Sequence, residues 1–155
     1  MTPRFRRALS TGGAAFASVL LIAAVPLLGR GPRYPFVVSS ASRGFVSAGF
    51  LGDEGAYGVM FHTKQQKNPW VEIDLGELRP VSSVRVRNRL DCCQDRAVPL
   101  LVEISDESRA FVEVARKDEA FDVWELELTT RPSARFVRLR AHASTILHLN
   151  EVEIR

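Results

Sequence analysis

The chain is poor in the residues that most active sites are built from. It has two cysteines, and they are neighbours, Cys92 and Cys93, with no second pair, so the spacing of a structural zinc site is missing. Its three histidines are scattered: His62 precedes a strand-like segment, while His142 and His148 stand alone and take no role. No serine or cysteine stands at a defensible nucleophile spacing from His62. No carboxylate couple stands out among Glu72, Glu125 and Glu127, so neither acyl transfer nor glycoside hydrolysis finds its parts. Those three glutamates alternate with apolar residues and read as a solvent face. There is no internal repeat, no low-complexity run and no amphipathic helix. A surplus of positive charge is also missing where it would matter: residues 1–35 hold Arg4, Arg6, Arg7, Arg30 and Arg33 and no acid, leaving 16 basic against 18 acidic residues in the remainder. The overall charge of +3 therefore comes from the N-terminal segment, and nucleic acid is excluded as a partner.

What the chain does have begins with an uncharged stretch from Gly12 to Gly29, GGAAFASVLLIAAVPLLG, behind three arginines. As a helix it would span about 27 Å, barely enough for a hydrocarbon core. Residues 1–29 are read as a membrane anchor, with a removed signal peptide as the alternative, because the exit Val25-Pro26-Leu27-Leu28-Gly29-Arg30 lacks the usual small residues. Arg4, Arg6 and Arg7 would stay cytoplasmic and place the domain in the periplasm or outside the cell. Residues 30–35 form a Gly- and Pro-containing linker.

From Phe36 onward the pattern has period two. Phe36–Ser40, Trp70–Leu75, Val81–Asn88, Leu100–Ser105, Phe111–Arg116, Trp124–Leu128, Phe136–Arg140 and Val152–Arg155 read as short strands, and Ala41–Met60 as a long Gly-rich loop. Such spacing predicts an all-β fold, an antiparallel β-sandwich of jelly-roll type over residues 36–155. Trp70 and Trp124 are expected in the core or in strand pairing.

The stretch from Phe61 to Arg96, FHTKQQKNPWVEIDLGELRPVSSVRVRNRLDCCQDR, concentrates the chemistry. If its two strands pair as a hairpin across Gly76 and Pro80, His62 and the Arg89–Arg96 loop converge at one sheet edge. Two guanidinium groups and an imidazole, with no nucleophile, suit a ligand rich in oxygen acceptors, and sugar hydroxyls fit. Cys92 and Cys93 could close into a small, stiff, apolar ring outside the cytoplasm; a structural staple or two reduced thiols are the alternatives. Arg89 and Arg96 could instead pair with Asp91 and Asp95 on the surface.

The order His62, 26 residues, Arg89, one residue, Asp91, four residues, Arg96 resembles the signature of the F-type, fucose-binding lectins. FHTKQQKNPWVEIDLG and NRLDCCQDR are similar to segments of that family and, more broadly, of the discoidin or coagulation factor V/VIII type C domains. The resemblance covers residues 36–155 and implies a galactose-binding-domain-like jelly roll without enzymatic activity, here in a bacterial, membrane-anchored form. It implies that His62, Arg89 and Arg96 hydrogen-bond the sugar and that a Cys92–Cys93 disulfide packs on its ring. Asp91 would support them by ion pairing, and the lip around the sugar would draw on Phe45, Phe50, Tyr57 and Phe61. The family often carries calcium. Asp53 and Glu151 are the candidate donors here, but Leu51–Tyr57 departs from the Asp-Gly-Asn-like run, so calcium is left open and no cofactor is expected. The implied partner is a saccharide or glycoconjugate, with the membrane reached through the N-terminal helix. Oligomers are left open, since a weak single site gains from clustering. The competing reading is a discoidin-like module without a working sugar site, serving protein or cell-envelope contacts.

Overall fold

The computed structural model describes residues 33–53 and 55–155. The expected N-terminal helix, residues 1–29, lies outside them. Among the described residues no helix is long and apolar enough to cross a membrane. Twelve strands are described: β1 Pro35–Val38, β2 Ala48–Phe50, β3 Phe61–His62, β4 Gln66–Lys67, β5 Trp70–Pro80, β6 Ser83–Asn88, β7 Leu100–Ser105, β8 Val112–Lys117, β9 Val123–Glu127, β10 Ser133–Ala141, β11 Ser144–Thr145 and β12 His148–Ile154. A six-stranded sheet runs β2-β1-β5-β10-β7-β8, a four-stranded one β3-β12-β6-β9, and β4 pairs with β11. All pairings are antiparallel.

Alternation explains the core. On β6, Val84 and Val86 point inward while Arg85 and Arg87 point out. Val71 and Ile73 of β5, Val137 and Leu139 of β10 and Val102 of β7 belong to the same core cluster as Val84, Val86, Leu149 and Val152 of the four-stranded sheet. Each such side chain contributes about 1.5–3 kcal/mol by leaving water.

Two expectations need correction. The first concerns the turn after β5, because β5 and β6 do not form a hairpin and lie in different sheets. The strand does not stop at Gly76; it continues to Pro80. Gly76 adopts φ +82°, its N–H donates to Asp74 Oδ1 at 2.8 Å, and the register on β10 slips between Ala134 and Phe136, so it is a bulge residue. Beyond Pro80 the chain crosses to the other sheet, with the Val81 N–H bonded to the Pro132 carbonyl.

The second correction is Glu72, which is only 4% exposed. Alternation put it correctly on the face away from Val71 and Ile73, but that face is not wet. Arg138 bonds Glu72 at 2.8 Å, Arg109 also binds it, and the Arg138 guanidinium lies over the rings of Trp70 and Phe111 at 4.9 and 3.5 Å. An ionic and aromatic layer roofs the sheet.

Candidate functional site

The functional side chains do meet at one edge, by a different route from the one the hairpin would have provided. Strand β12 runs between β3 and β6: His148 stands opposite His62 on one side, and Leu149 stands opposite Asn88 on the other. Strands flanking a common neighbour lie about 10 Å apart, so His62 on β3 and Arg89 after β6 face across β12. Three strands of the four-stranded sheet therefore supply the floor of the site.

His62 is half-buried, and its surroundings fix its proton. Nδ1 lies 3.0 Å from the Thr63 carbonyl oxygen, which also accepts from Ser42 Oγ at 2.8 Å. A carbonyl only accepts, so Nδ1 carries the hydrogen and, in the neutral ring, Nε2 carries the lone pair. Burial lowers the pKa of His62 below 6.5, and Arg89 and Arg96 lower it further, against the raising effect of the Thr63 hydrogen bond. At neutral pH the ring is an acceptor at Nε2.

The loop after β6 is clamped at both ends by Asn88, which is fully buried. Its Oδ1 accepts from the Arg89 N–H at 2.8 Å, and its Nδ2 donates to the Gln94 carbonyl at 3.0 Å. Within that span Cys92 and Cys93 are joined in a vicinal disulfide, with Cys93 at φ +63° opening the 3-10 turn Gln94–Ala97. Leu90 beside them is exposed. Asp91 takes Arg89 by two parallel bonds, from Nε at 2.5 Å and from Nη2 at 2.8 Å. Five N–H groups less two leaves Nη1 and the remaining Nη2 hydrogen for a ligand. The bond from Arg89 holds the Asp91 carboxyl down at about 2. Arg96 is exposed; Thr145 Oγ1 anchors its carbonyl at 3.1 Å, and its guanidinium has no hydrogen bond or ion pair among the described residues. It does not pair with Asp95.

The aromatic lip sorts itself by contact. Phe45 stacks on His62 with ring centroids 4.8 Å apart, and Tyr57 packs on Phe45 at 6.1 Å. Tyr57 is 80% exposed and sits at φ +58°. The turn that delivers it is tight: a Cβ on Gly55 would meet the Val59 carbonyl oxygen at 1.9 Å. Phe61 is not part of the lip, because it faces the core, fully buried against Phe36. His62 and Phe61 are neighbours on one strand, and only one of them can face the edge. Phe50 is also misplaced, for it lies opposite Pro35, at the far end of β1 from the Ser42 segment, with Arg33 over its ring.

The two carboxylates considered for calcium are each engaged by arginine. Asp53 binds Arg33 and the Phe50 N–H, and Glu151 pairs with Arg85 and Arg87. Among the described residues, no three His, Cys, Asp or Glu side chains gather to hold a metal.

Asn88, Ser42, Thr63 and His148 were not singled out in the sequence. Asn88 had a signal: a polar residue on the inward phase of VRVRN, where valines precede it. Ser42 and Thr63 had none, since serine and threonine are common in such loops.

The chain is similar to known proteins over different shares of its length. Fucolectin-1 of Anguilla japonica is 38% identical over 53 residues, which make up 34% of this chain and 30% of that protein. The matched stretch thus spans under a third of the length of that curated relative. The lectin domain of lectinolysin, solved in complex with Lewis B antigen, is 29% identical with a TM-score of 0.63, covering 77% of this chain and 90% of that one. A Streptococcus pneumoniae fucose binding module is 26% identical with a TM-score of 0.66, covering 77% and 91%. The family model for the NedA-like, galactose-binding domain matches residues 52–139, from the lip loop into β10, and the chain belongs to that F5/F8 type C family.

Proposed function

We propose that this chain is a non-enzymatic saccharide-binding domain whose edge site takes a fucose-like sugar. One observation carries the reading: the neutral Nε2 acceptor of His62 shares an edge with two guanidinium groups that keep free N–H donors. A ligand oxygen that serves both has to donate to the imidazole and accept from an arginine. A hydroxyl does both, whereas a carboxylate or phosphate oxygen only accepts. The disulfide ring and Leu90 add an apolar surface for the C–H face or methyl group of a sugar, and Phe45 and Tyr57 add a wall. Fucose as the sugar is supported by relatives whose names carry it, the fucolectin and the Streptococcus pneumoniae module. No group at the edge is placed to attack a bond.

Calorimetric titration of the full chain with fucosylated saccharides tests this. Saturable binding is expected, with Arg89→Ala weaker by roughly 10- to 100-fold, the worth of charge-assisted hydrogen bonds. No binding to any saccharide on a glycan array would overturn it and leave a protein or cell-envelope interaction module. The uncharged stretch Gly12–Gly29 supports a tether that holds the domain outside the cytoplasm. Retention of the chain in carbonate-washed membranes is the expected outcome, and its release would remove the anchor.

A further inference from the structure

His148 makes none of the proposed sugar contacts, yet it stacks directly on the histidine that does. His148 is 0% exposed, and neither ring nitrogen has a hydrogen-bond partner among the described residues. Register puts it where it is: His148 stands opposite His62 on β3–β12, and directly opposed side chains on one face of an antiparallel pair touch. The two rings stack with centroids 5.3 Å apart and planes 30° apart. Phe45 also stacks on His62, with planes 26° apart. His62 is thus packed between its own strand and two stacked rings, from the 41–58 segment and from β12. Its Nδ1 edge is occupied by Thr63 and Ser42, so Nε2 is the polar edge left to meet a ligand.

The groups facing this ring can be named element by element. His148 comes from β12, and Arg89 and Arg96 come from the loop after β6. The Thr63 carbonyl follows on its own strand, and the 41–58 segment brings Ser42, Phe45 and, beyond it, the phenol of Tyr57. No carboxylate acts on His62. A proton on the ring would meet two fixed positive charges and no counter-charge.

We propose that His148 is a positioning residue for the sugar site: it walls the inner face of His62, aims Nε2 at the ligand, and by excluding water preserves the ring as an acceptor under acid conditions. Burial is the largest influence lowering the His62 pKa, and His148 supplies the buried wall. His148 is itself pushed down to about 4, first by burial and then by His62, Arg89 and Arg96. It is therefore neutral at neutral pH and adds no charge to the wall. Once Nε2 gains a proton it becomes a third donor beside two others, and a hydroxyl loses its acceptor.

The saccharide reading is needed only for the affinity half of the test. Imidazole nitrogen shifts of the sugar-free full chain, followed by NMR against pH, should show the wild-type His62 protonated at Nδ1 and titrating below 6.5. His148→Ala should raise that midpoint toward 6.5 and mix the tautomers, and the acid loss of saccharide affinity should begin at a correspondingly higher pH. His148→Phe, which restores the wall, should return both. A wild-type midpoint at or above 6.5 would overturn the proposal without recourse to any variant, as would an alanine variant that titrates like the wild type. If the imidazole behaves as described and no saccharide binds, the functional reading falls and the positioning role stands. Saccharide binding with an unaltered alanine titration separates them the other way.

Discussion

On the outer face of the six-stranded sheet, Arg138 and Arg109 close on Glu72 and Arg140 closes on Glu103, with both carboxylates buried; at the edge of the four-stranded sheet Arg89 has one carboxylate and Arg96 has none among the described residues. The same residue type serves opposite ends in the two regions. Where every guanidinium reaches a buried carboxylate and Trp70, Phe111 and Phe136 pack on the pairs, the layer holds the sheet. Where an arginine reaches no carboxylate among the described residues, as Arg96 does not, its donors point to a ligand. A binding edge is marked less by its arginines than by arginines left without partners, in the company of an acceptor that burial keeps neutral.

Substitutions should separate the two regions. The largest effect is expected from Arg138→Ala, which strips one cation from the buried Glu72 carboxylate. Urea unfolding should show a loss of about 3–5 kcal/mol, while the folded fraction keeps its saccharide affinity. Next comes the acid dependence of stability due to His148. Its folded pKa of about 4 lies below the ordinary 6.5. Between those values the unfolded chain holds the extra proton, so stability falls as pH drops, by roughly 3 kcal/mol at 1.36 kcal/mol per unit. In His148→Leu that part of the slope, measured by urea unfolding at pH 7 and pH 4.5, should vanish. Arg96→Ala should reverse the Arg138 pattern, with an unchanged unfolding midpoint and a roughly tenfold or greater loss of saccharide affinity by calorimetry. Equal stability losses for Arg96→Ala and Arg138→Ala would break the comparison. Smallest of all, a calcium chelator should leave saccharide affinity where it was, because Asp53 and Glu151 already serve arginines; an affinity drop on chelation would show that those pairs open.

Much of the sandwich was legible because a two-residue period is the direct imprint of a half-buried strand, and the eight segments with that period all became strands. Pairing was not legible, since alternation says which residues share a face and nothing about which strand is the neighbour. Thus β5 and β6, adjacent in sequence, lie in separate sheets. The two- and three-residue strands β2, β3, β4 and β11 are too short to carry a period. Glu72 shows the same limit from another side: its face was right, but whether that face is dry depends on Arg109 and Arg138, which come from distant parts of the chain. At the site, the spacing of His62, Arg89, Asp91 and Arg96 was visible as a pattern. The lip was only half visible, because Phe45 and Tyr57 are brought to His62 by loop geometry, and Phe61 looked no different from them in sequence.

The hold of Asn88 on both ends of the Arg89–Gln94 segment has a thermodynamic consequence. With the loop already shaped by its amide and stiffened by the Cys92–Cys93 link, a sugar arriving at this edge has little backbone to order, so the entropy of arranging the receptor is settled during folding and not at encounter. Loosening that amide should therefore leave every contact residue in place and still weaken the complex, with the penalty falling on the entropy of binding.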